Sequence, residues 1–337
     1  MINIDDLKNS YKRINNYLVD TPIVSSDNLN KELNAKVFLK NEVDQLTGSF
    51  KIRGALSALS NLKNQGVKGV VAYSSGNHAQ GVSKAAQIFN MHAIIVMPED
   101  APSNKINKTK ANGAEVVLYK RHVESREDIA LEIAYEKNYP LVKPFDNEDI
   151  IAGQGSFGLE ACKFFKTNNI KPDIVLSCTS GGGLVAGTSI AFKHYFPEVE
   201  IYPVEPETCN DTEISLKNKT RTRIKHERTT ICDALEVEIP GQITFPINMK
   251  NCKSGISVTD QEVCRAMKYL YEEFYIKAEP SGCVSLAAIL SNKIDIMRVR
   301  SRLLQIPSKY RWLCTGTPFS YYLDSWITLD YLYPNLF

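Results

Sequence analysis

From residue 67 onward the sequence alternates short apolar runs with amphipathic stretches, and this alternation restricts the fold more than any other feature. "GVVAY" (69–73), "AIIVMP" (93–98) and "AEVVLY" (114–119) are rich in β-branched residues and apolar along most of their length. They read as strands, 69–73 as a buried one and 93–98 as one ended by proline. Between and after them, "HAQGVSKAAQIF" (78–89), "NKINKTKANG" (104–113) and "REDIALEIAYEKN" (126–138) read as helices, the second closed by glycine. "LVKPF" (141–145) reads as a further strand. A second series follows, with helices at 151–165 and 183–196, strands "DIVLSC" (173–178) and "EIYPVEP" (200–206), and helices at 260–274 and 281–290. Strand–helix alternation of this kind predicts mostly parallel sheets in two open, twisted α/β domains. "KVFLK" (36–40) is a strand with no complete sheet around it. The expectation is therefore a small α/β domain, 61–147, inserted into a larger one made of 1–60 and 148–337.

Charge and cysteine usage narrow the class. The 40 Lys and Arg nearly balance 38 Asp and Glu, so no nucleic-acid or membrane surface is indicated. The N-terminus, "MINIDDLKNSYKR", lacks the apolar core of a secretory signal, and no stretch reaches the ~18 apolar residues of a membrane span. The eight cysteines contain no C-x-x-C pair, which fits reduced thiols in a cytoplasmic protein.

Three stretches carry chemistry, each at the start of a predicted helix. "TGSFKIRGA" (47–55) places Lys51 in the first turn of a helix, with Ser49 as the expected N-cap. A cation there opposes the helix dipole, which suits a lysine used as a neutral nucleophile toward a carbonyl compound. "SSGNHAQG" (74–81) offers hydroxyl, amide and imidazole groups at a helix N-terminus, a setting for a carboxylate or another anion. "TSGGGLVAG" (179–187) exposes consecutive N–H groups as a nest for phosphate. It has neither the Gly-Lys-Ser/Thr of a nucleotide P-loop nor a G-x-G-x-x-G in register with a ribose-binding acid. A lysine, a phosphate nest and an anion-binding turn together describe a phosphorylated aldehyde held as an imine, that is, pyridoxal phosphate.

"TGSFKIRGA", "SSGNHAQG", "IAGQGS", "SGGGLVAG" and "VEP" resemble, in order and at ordinary spacing from about residue 20 to 295, the serine/threonine dehydratase and serine racemase branch of the pyridoxal-phosphate enzymes. That branch has the tryptophan synthase β-subunit fold. Cysteine synthases of the same fold carry K-D-R after the lysine; here Ile52 follows Lys51. The resemblance implies an ammonia-lyase that converts L-threonine or L-serine to 2-oxobutyrate or pyruvate and ammonia through an aminoacrylate. Its alternatives are a serine racemase, a threo-3-hydroxyaspartate dehydratase or an impaired homologue. It implies that Lys51 joins the cofactor and then takes the Cα proton, that Phe50 lies against the pyridine ring, and that Asn77 bonds its 3-hydroxyl. It implies that Ser180, Gly181, Gly182, Gly183 and Leu184 hold the phosphate, and that Ser74, Ser75 and His78 surround the substrate carboxylate. Ser75 would exchange a proton on the face opposite Lys51 in racemisation. Glu205, Asp211 and the carbonyl of Cys209 would bind magnesium or calcium. The substrate is a small amino acid, and the assembly a homodimer or homotetramer.

The resemblance stops near residue 296. The family continues with an apolar strand ending in S-G-G-N, whose serine meets the pyridine nitrogen. This chain reads "MRVRSRLLQIPSKYRWLCTGTPFS" instead, with Ser308 near the expected distance and Thr315 in a "TGT" that echoes the motif. A divergent final strand and a reading-frame change are both open at this point. With the change, the chain would be catalytically impaired.

Overall fold

The computed structural model describes residues 2–74, 76–121, 123–225 and 229–294, and the backbone of 310–315. Its strands form two sheets. The smaller is parallel, in the order β3 (Gly69–Tyr73), β4 (His92–Pro98), β5 (Glu115–Tyr119). The larger has six strands in the order β1-β2-β9-β6-β7-β8. These are β1 (Ile23–Val24), β2 (Lys36–Asn41), β6 (Pro172–Cys178), β7 (Glu200–Pro206), β8 (Ile256–Val258) and β9 (Tyr310–Thr315). All its pairings are parallel except β1 with β2. Chain from both sides of the small sheet thus meets in one large sheet: β2 lies in register with β9, Lys36 opposite Tyr310 through Asn41 opposite Thr315.

Burial follows the apolar runs in β3 and β4 but not in β5, the edge strand, where Leu118 is exposed. Every residue of β3 is buried, and β4 is exposed only at His92. The helices cover the sheets and also pack on one another. Along the chain they are α1 (Ile4–Ile14), α2 (Asp27–Glu32), α3 (Lys51–Asn64), α4 (Asn77–Phe89), α5 (Ser103–Ala111) and α6 (Arg126–Lys137). Then come α7 (Glu148–Thr167), α8 (Gly183–Tyr195), α9 (Asp211–Asn218), α10 (Thr244–Asn251), α11 (Asp260–Phe274) and α12 (Pro280–Leu290). α3 packs on both α4 and α7, so the helix that begins at Lys51 joins the two sheet layers. Among the described residues no helix is long and apolar enough to cross a membrane.

One segment differs from expectation, and another settles a point the sequence left open. "LVKPF" makes one isolated bridge, Val71 to Leu141, rather than a strand. Pro144 has no N–H to give a ladder, and the segment turns into the cleft. The last strand is present as backbone: β9 lies between β2 and β6 at the centre of the large sheet, and Thr315 is at its carboxyl end. Ser308 lies outside the described residues.

α3 is anchored from behind by a buried ion cluster. The guanidinium of Arg53, fully buried, donates to both oxygens of Glu42 (2.7 and 2.8 Å) and both oxygens of Glu160 (2.8 Å each). Lys40 meets Glu160 at 2.9 Å and the carbonyl of Thr21 at 2.8 Å. Two cations thus face two carboxylates, joining β2, α3 and α7. Burial alone would raise the Glu42 carboxyl; the charge and hydrogen bonds of Arg53, with Lys40, hold it below its ordinary value. Its contribution to stability is present above the unfolded carboxylate range and is lost as pH falls through the depressed value. Removing one partner of such a cluster strands buried charge. Arg53→Met should cost about 3–5 kcal/mol, read as a lower urea midpoint with unchanged m-value; a change near zero would show that the cluster does not hold α3.

Candidate active site

The cleft lies between the two sheets, at the carboxyl ends of β3 and β6, where open α/β sheets place their ligand sites. It encloses about 150 Å³. The three motifs read from the sequence meet there: Lys51 from the start of α3, Ser74, Gly76, Asn77 and His78 from the turn after β3, and Ser180 to Leu184 from the turn after β6.

Lys51 is the first residue of α3, and the residue before it is Phe50, already helical at φ −59°, ψ −17°. Ser49 is therefore not the N-cap; its hydroxyl is buried and has no hydrogen-bond partner among the described residues. With no side chain capping the helix, its first N–H groups add positive potential beside the lysine. The amine contacts the carbonyl of Pro144 at 3.3 Å and lies 5.3 Å from the centre of the Phe50 ring. Burial pushes it down to about 8, while Cys178 and Glu279 pull in the other direction. An amine near 8 is neutral in a substantial fraction at physiological pH, as a nucleophile requires. Gly81 makes room for this geometry: a Cβ there would stand 3.2 Å from the Lys51 carbonyl.

The turn after β3 presents its groups at the start of α4. His78 is buried, and its Nε2 lies 3.0 Å from the carbonyl of Val142, which can only accept. Nε2 therefore carries the proton. Burial, with the nearby Lys51, lowers the imidazole to about 3, so the ring is neutral and Nδ1 is an acceptor. His78 can serve an anion through its backbone N–H, in the first turn of α4, rather than through its ring. Asn77 donates from Nδ2 to Glu279 Oε1 at 2.9 Å. Ser75 lies outside the described residues.

The glycine turn is held from its carbonyl side. Thr244 Oγ1 donates to the Gly181 carbonyl at 2.6 Å, and Asn248 Nδ2 to that of Gly182 at 3.3 Å. Gly182 has φ +90°, and a Cβ there would stand 2.6 Å from Asn248 Nδ2. The turn thus needs glycine for its backbone conformation. With its carbonyls engaged below, it leads into α8 and offers the N–H nest and the helix N-terminus to an anion.

Away from the cleft, Glu205 and Asp211 are both buried. Glu205 accepts from the N–H groups of Thr212 (3.1 Å) and Glu213 (2.9 Å), whereas both Asp211 oxygens have no partner among the described residues. Burial and the neighbouring Asp211 push Glu205 up, and burial pushes Asp211 up to about 8. Cys209 is buried between them in sequence. Among the described residues no group of three or more His, Cys, Asp or Glu side chains could hold a metal, so a cation here would also need carbonyl and water oxygens.

Three features of the cleft went unread in the sequence. Lys105 is buried, lies along Gly76, and pairs with Asp233 at 3.1 Å. Phe145 packs on Gly181 and Gly183. Glu279 is nearly buried and lines the cleft. In the sequence Lys105 reads as one of several lysines on a polar helix, and only folding distinguishes it.

Comparison with known proteins gives the family. Residues 14–299 match the family model described as "Pyridoxal-phosphate dependent enzyme". The chain belongs to that family. Within it, the chain is 36% identical over 293 residues to the L-threo-3-hydroxyaspartate ammonia-lyase of Saccharomyces cerevisiae, covering 87% of this chain and 88% of that one. It is 37% identical over 299 residues to the L-threonine ammonia-lyase of Thermotoga maritima, covering 88% and 73%. The structure of maize serine racemase superposes with a TM-score of 0.86 at 31% identity, over 98% of this chain and 97% of that one. The α/β architecture with parallel sheets is thus that of fold type II pyridoxal-phosphate enzymes, and the chain is an enzyme of a family that uses this cofactor.

Proposed function

We propose that this enzyme is an ammonia-lyase acting on L-threonine or L-serine, with pyridoxal phosphate joined to Lys51. The observation that carries the reading is the convergence, in one cleft, of a lysine lowered to about 8 with a glycine nest whose carbonyls are tied down. The residues fit the cofactor: an amine for its aldehyde, N–H groups for its phosphate, and the Phe50 ring beside them. When bound, the cofactor draws electrons from the substrate and makes its Cα–H acidic.

The chain's own groups then have these tasks. The turn from Ser180 to Leu184 holds the phosphate. Asn77, held by Glu279, keeps a second amide N–H for the ring's 3-hydroxyl. Ser74 and the N–H groups at the start of α4 orient the substrate carboxylate. With the cofactor bound, the Lys51 amine would be the group that accepts the Cα proton. Loss of the β-hydroxyl leads to 2-oxobutyrate from threonine or pyruvate from serine, with ammonia.

A second reading is ammonia-lyase action on L-threo-3-hydroxyaspartate. It is supported by two cations, Lys105 and Arg126, that line the same cleft and suit a second carboxylate. Serine racemisation needs an acid opposite Lys51, and Ser75, expected there, lies outside the described residues. We assign magnesium or calcium to Glu205, Asp211 and the Cys209 carbonyl, because the oxygens of Asp211, without a partner among the described residues, suit a hard cation. We assign the enzyme to the cytoplasm, as a homodimer or homotetramer.

Purified protein supplied with pyridoxal phosphate should form 2-oxo acid from L-threonine and L-serine. Lys51→Ala should lower the rate by about 10²–10⁴-fold or more, while the exposed-site control Lys110→Ala should not. Faster turnover of L-threo-3-hydroxyaspartate would favour the second reading, and D-serine formed faster than pyruvate would favour racemisation. A chelator should lower the thermal midpoint, and magnesium or calcium should restore it. A midpoint indifferent to both would remove the metal.

A further inference from the structure

Glu279 occupies a helix-capping position without capping. It precedes α12, yet its side chain makes no capping hydrogen bond to it. N-caps favour Ser, Thr, Asp and Asn, whose short side chains reach the unsatisfied N–H groups. Here Pro280 has no N–H to satisfy, and the backbone carbonyl of Glu279 accepts from Gly282 N at 3.0 Å and from Cys283 Sγ at 3.3 Å. The side chain is turned into the cleft instead, 5% exposed, where it accepts from Asn77 Nδ2 on the other side. A carboxylate so buried is costly unless it is paired. The helix does not require it, so its explanation lies in what it faces.

The groups around Lys51 make its role specific. His78, on α4, is neutral. Cys178, at the end of β6, is pushed up to about 12 by burial and is also neutral. Lys105, on α5, is paired with Asp233. Arg126 lies 5.4 Å from the centre of the Tyr73 ring, itself pushed up to about 12 by burial, and Glu236 also lines the cleft. Of the carboxylates that line the cleft with Lys51, Asp233 is exposed and paired with Lys105 and Glu236 is half-buried; Glu279 is the buried one, and it favours the charged form of Lys51.

We propose that Glu279 is a positioning residue of this active site, which pins the Asn77 amide across the cleft and serves as the counter-charge of Lys51. The inference rests on the reading that Lys51 joins the cofactor, and it assigns to Glu279 the control of how readily that lysine gives up its proton. A carboxylate beside an ammonium holds the proton on; without it the amine becomes neutral at lower pH.

The test uses the cofactor-free full chain. Lysines are acetylated briefly with acetic anhydride across a pH series, and the Lys51 peptide is quantified by mass spectrometry. In Glu279→Gln the labelling midpoint of Lys51 should fall by about one pH unit, a roughly tenfold change in its proton affinity. Glu279→Asp, which keeps the carboxylate, should stay nearer the wild type. Glu279→Ser supplies a preferred N-cap while removing the charge, and it replaces Glu279→Gln should that variant not fold. A midpoint equal to wild type in the folded charge-removing variant overturns the proposal. The functional reading fails separately: if wild-type protein forms no cofactor linkage at Lys51, that reading falls, while the labelling midpoints still decide the role of Glu279.

Discussion

The arrangement depends on one buried guanidinium. Arg53 is gripped by Glu42, the residue just after β2, and by Glu160 on α7, and it sits two residues after Lys51 on the same helix. Successive helical residues turn by about 100°, so Arg53 and Lys51 face nearly opposite sides. One side is locked into the large sheet by charge, and the other is presented to the cleft. This lock sets where the helix begins, and so where the amine stands. The same register brings Gly81 of α4 against the Lys51 backbone, closing the helix pair over the sheet ends.

The cleft then uses desolvation in two ways. It lowers Lys51 to about 8 and His78 to about 3, so one amine is available and one imidazole stays neutral. It also makes the cleft's retained charges consequential, because a carboxylate in a low-dielectric setting acts strongly on its neighbours. Glu279 and the Lys105–Asp233 pair are such charges, and each involves groups from opposite sides of the cleft. Binding chemistry and charge control are therefore supplied by different segments of chain.

That division explains what could be read in advance. Lys51, the Ser74–Gly76–Asn77 turn and the glycine turn are short contiguous motifs at strand–helix junctions, where periodicity and residue type carry the information. Their roles were expected from sequence, and the structure brings the described ones into one cleft. Glu279 and Asn77 are 202 positions apart and Lys105 and Asp233 are 128 apart, so no local pattern announces either contact. Ser49 looked like an N-cap because its residue type is right; the helical backbone of Phe50 moves the helix start past it. "YRWLCT" gave no clear sign of a central strand. Its place follows from the gap between β2 and β6 that parallel pairing fills.

The central claim is that the cofactor joins Lys51 and no other lysine of the cleft. Loading the protein with pyridoxal phosphate, reducing with borohydride and mapping the modified peptide by mass spectrometry tests it most directly. The account predicts a pyridoxyl group on Lys51. The same group on Lys105, the other lysine lining the cleft, or on neither, would contradict it.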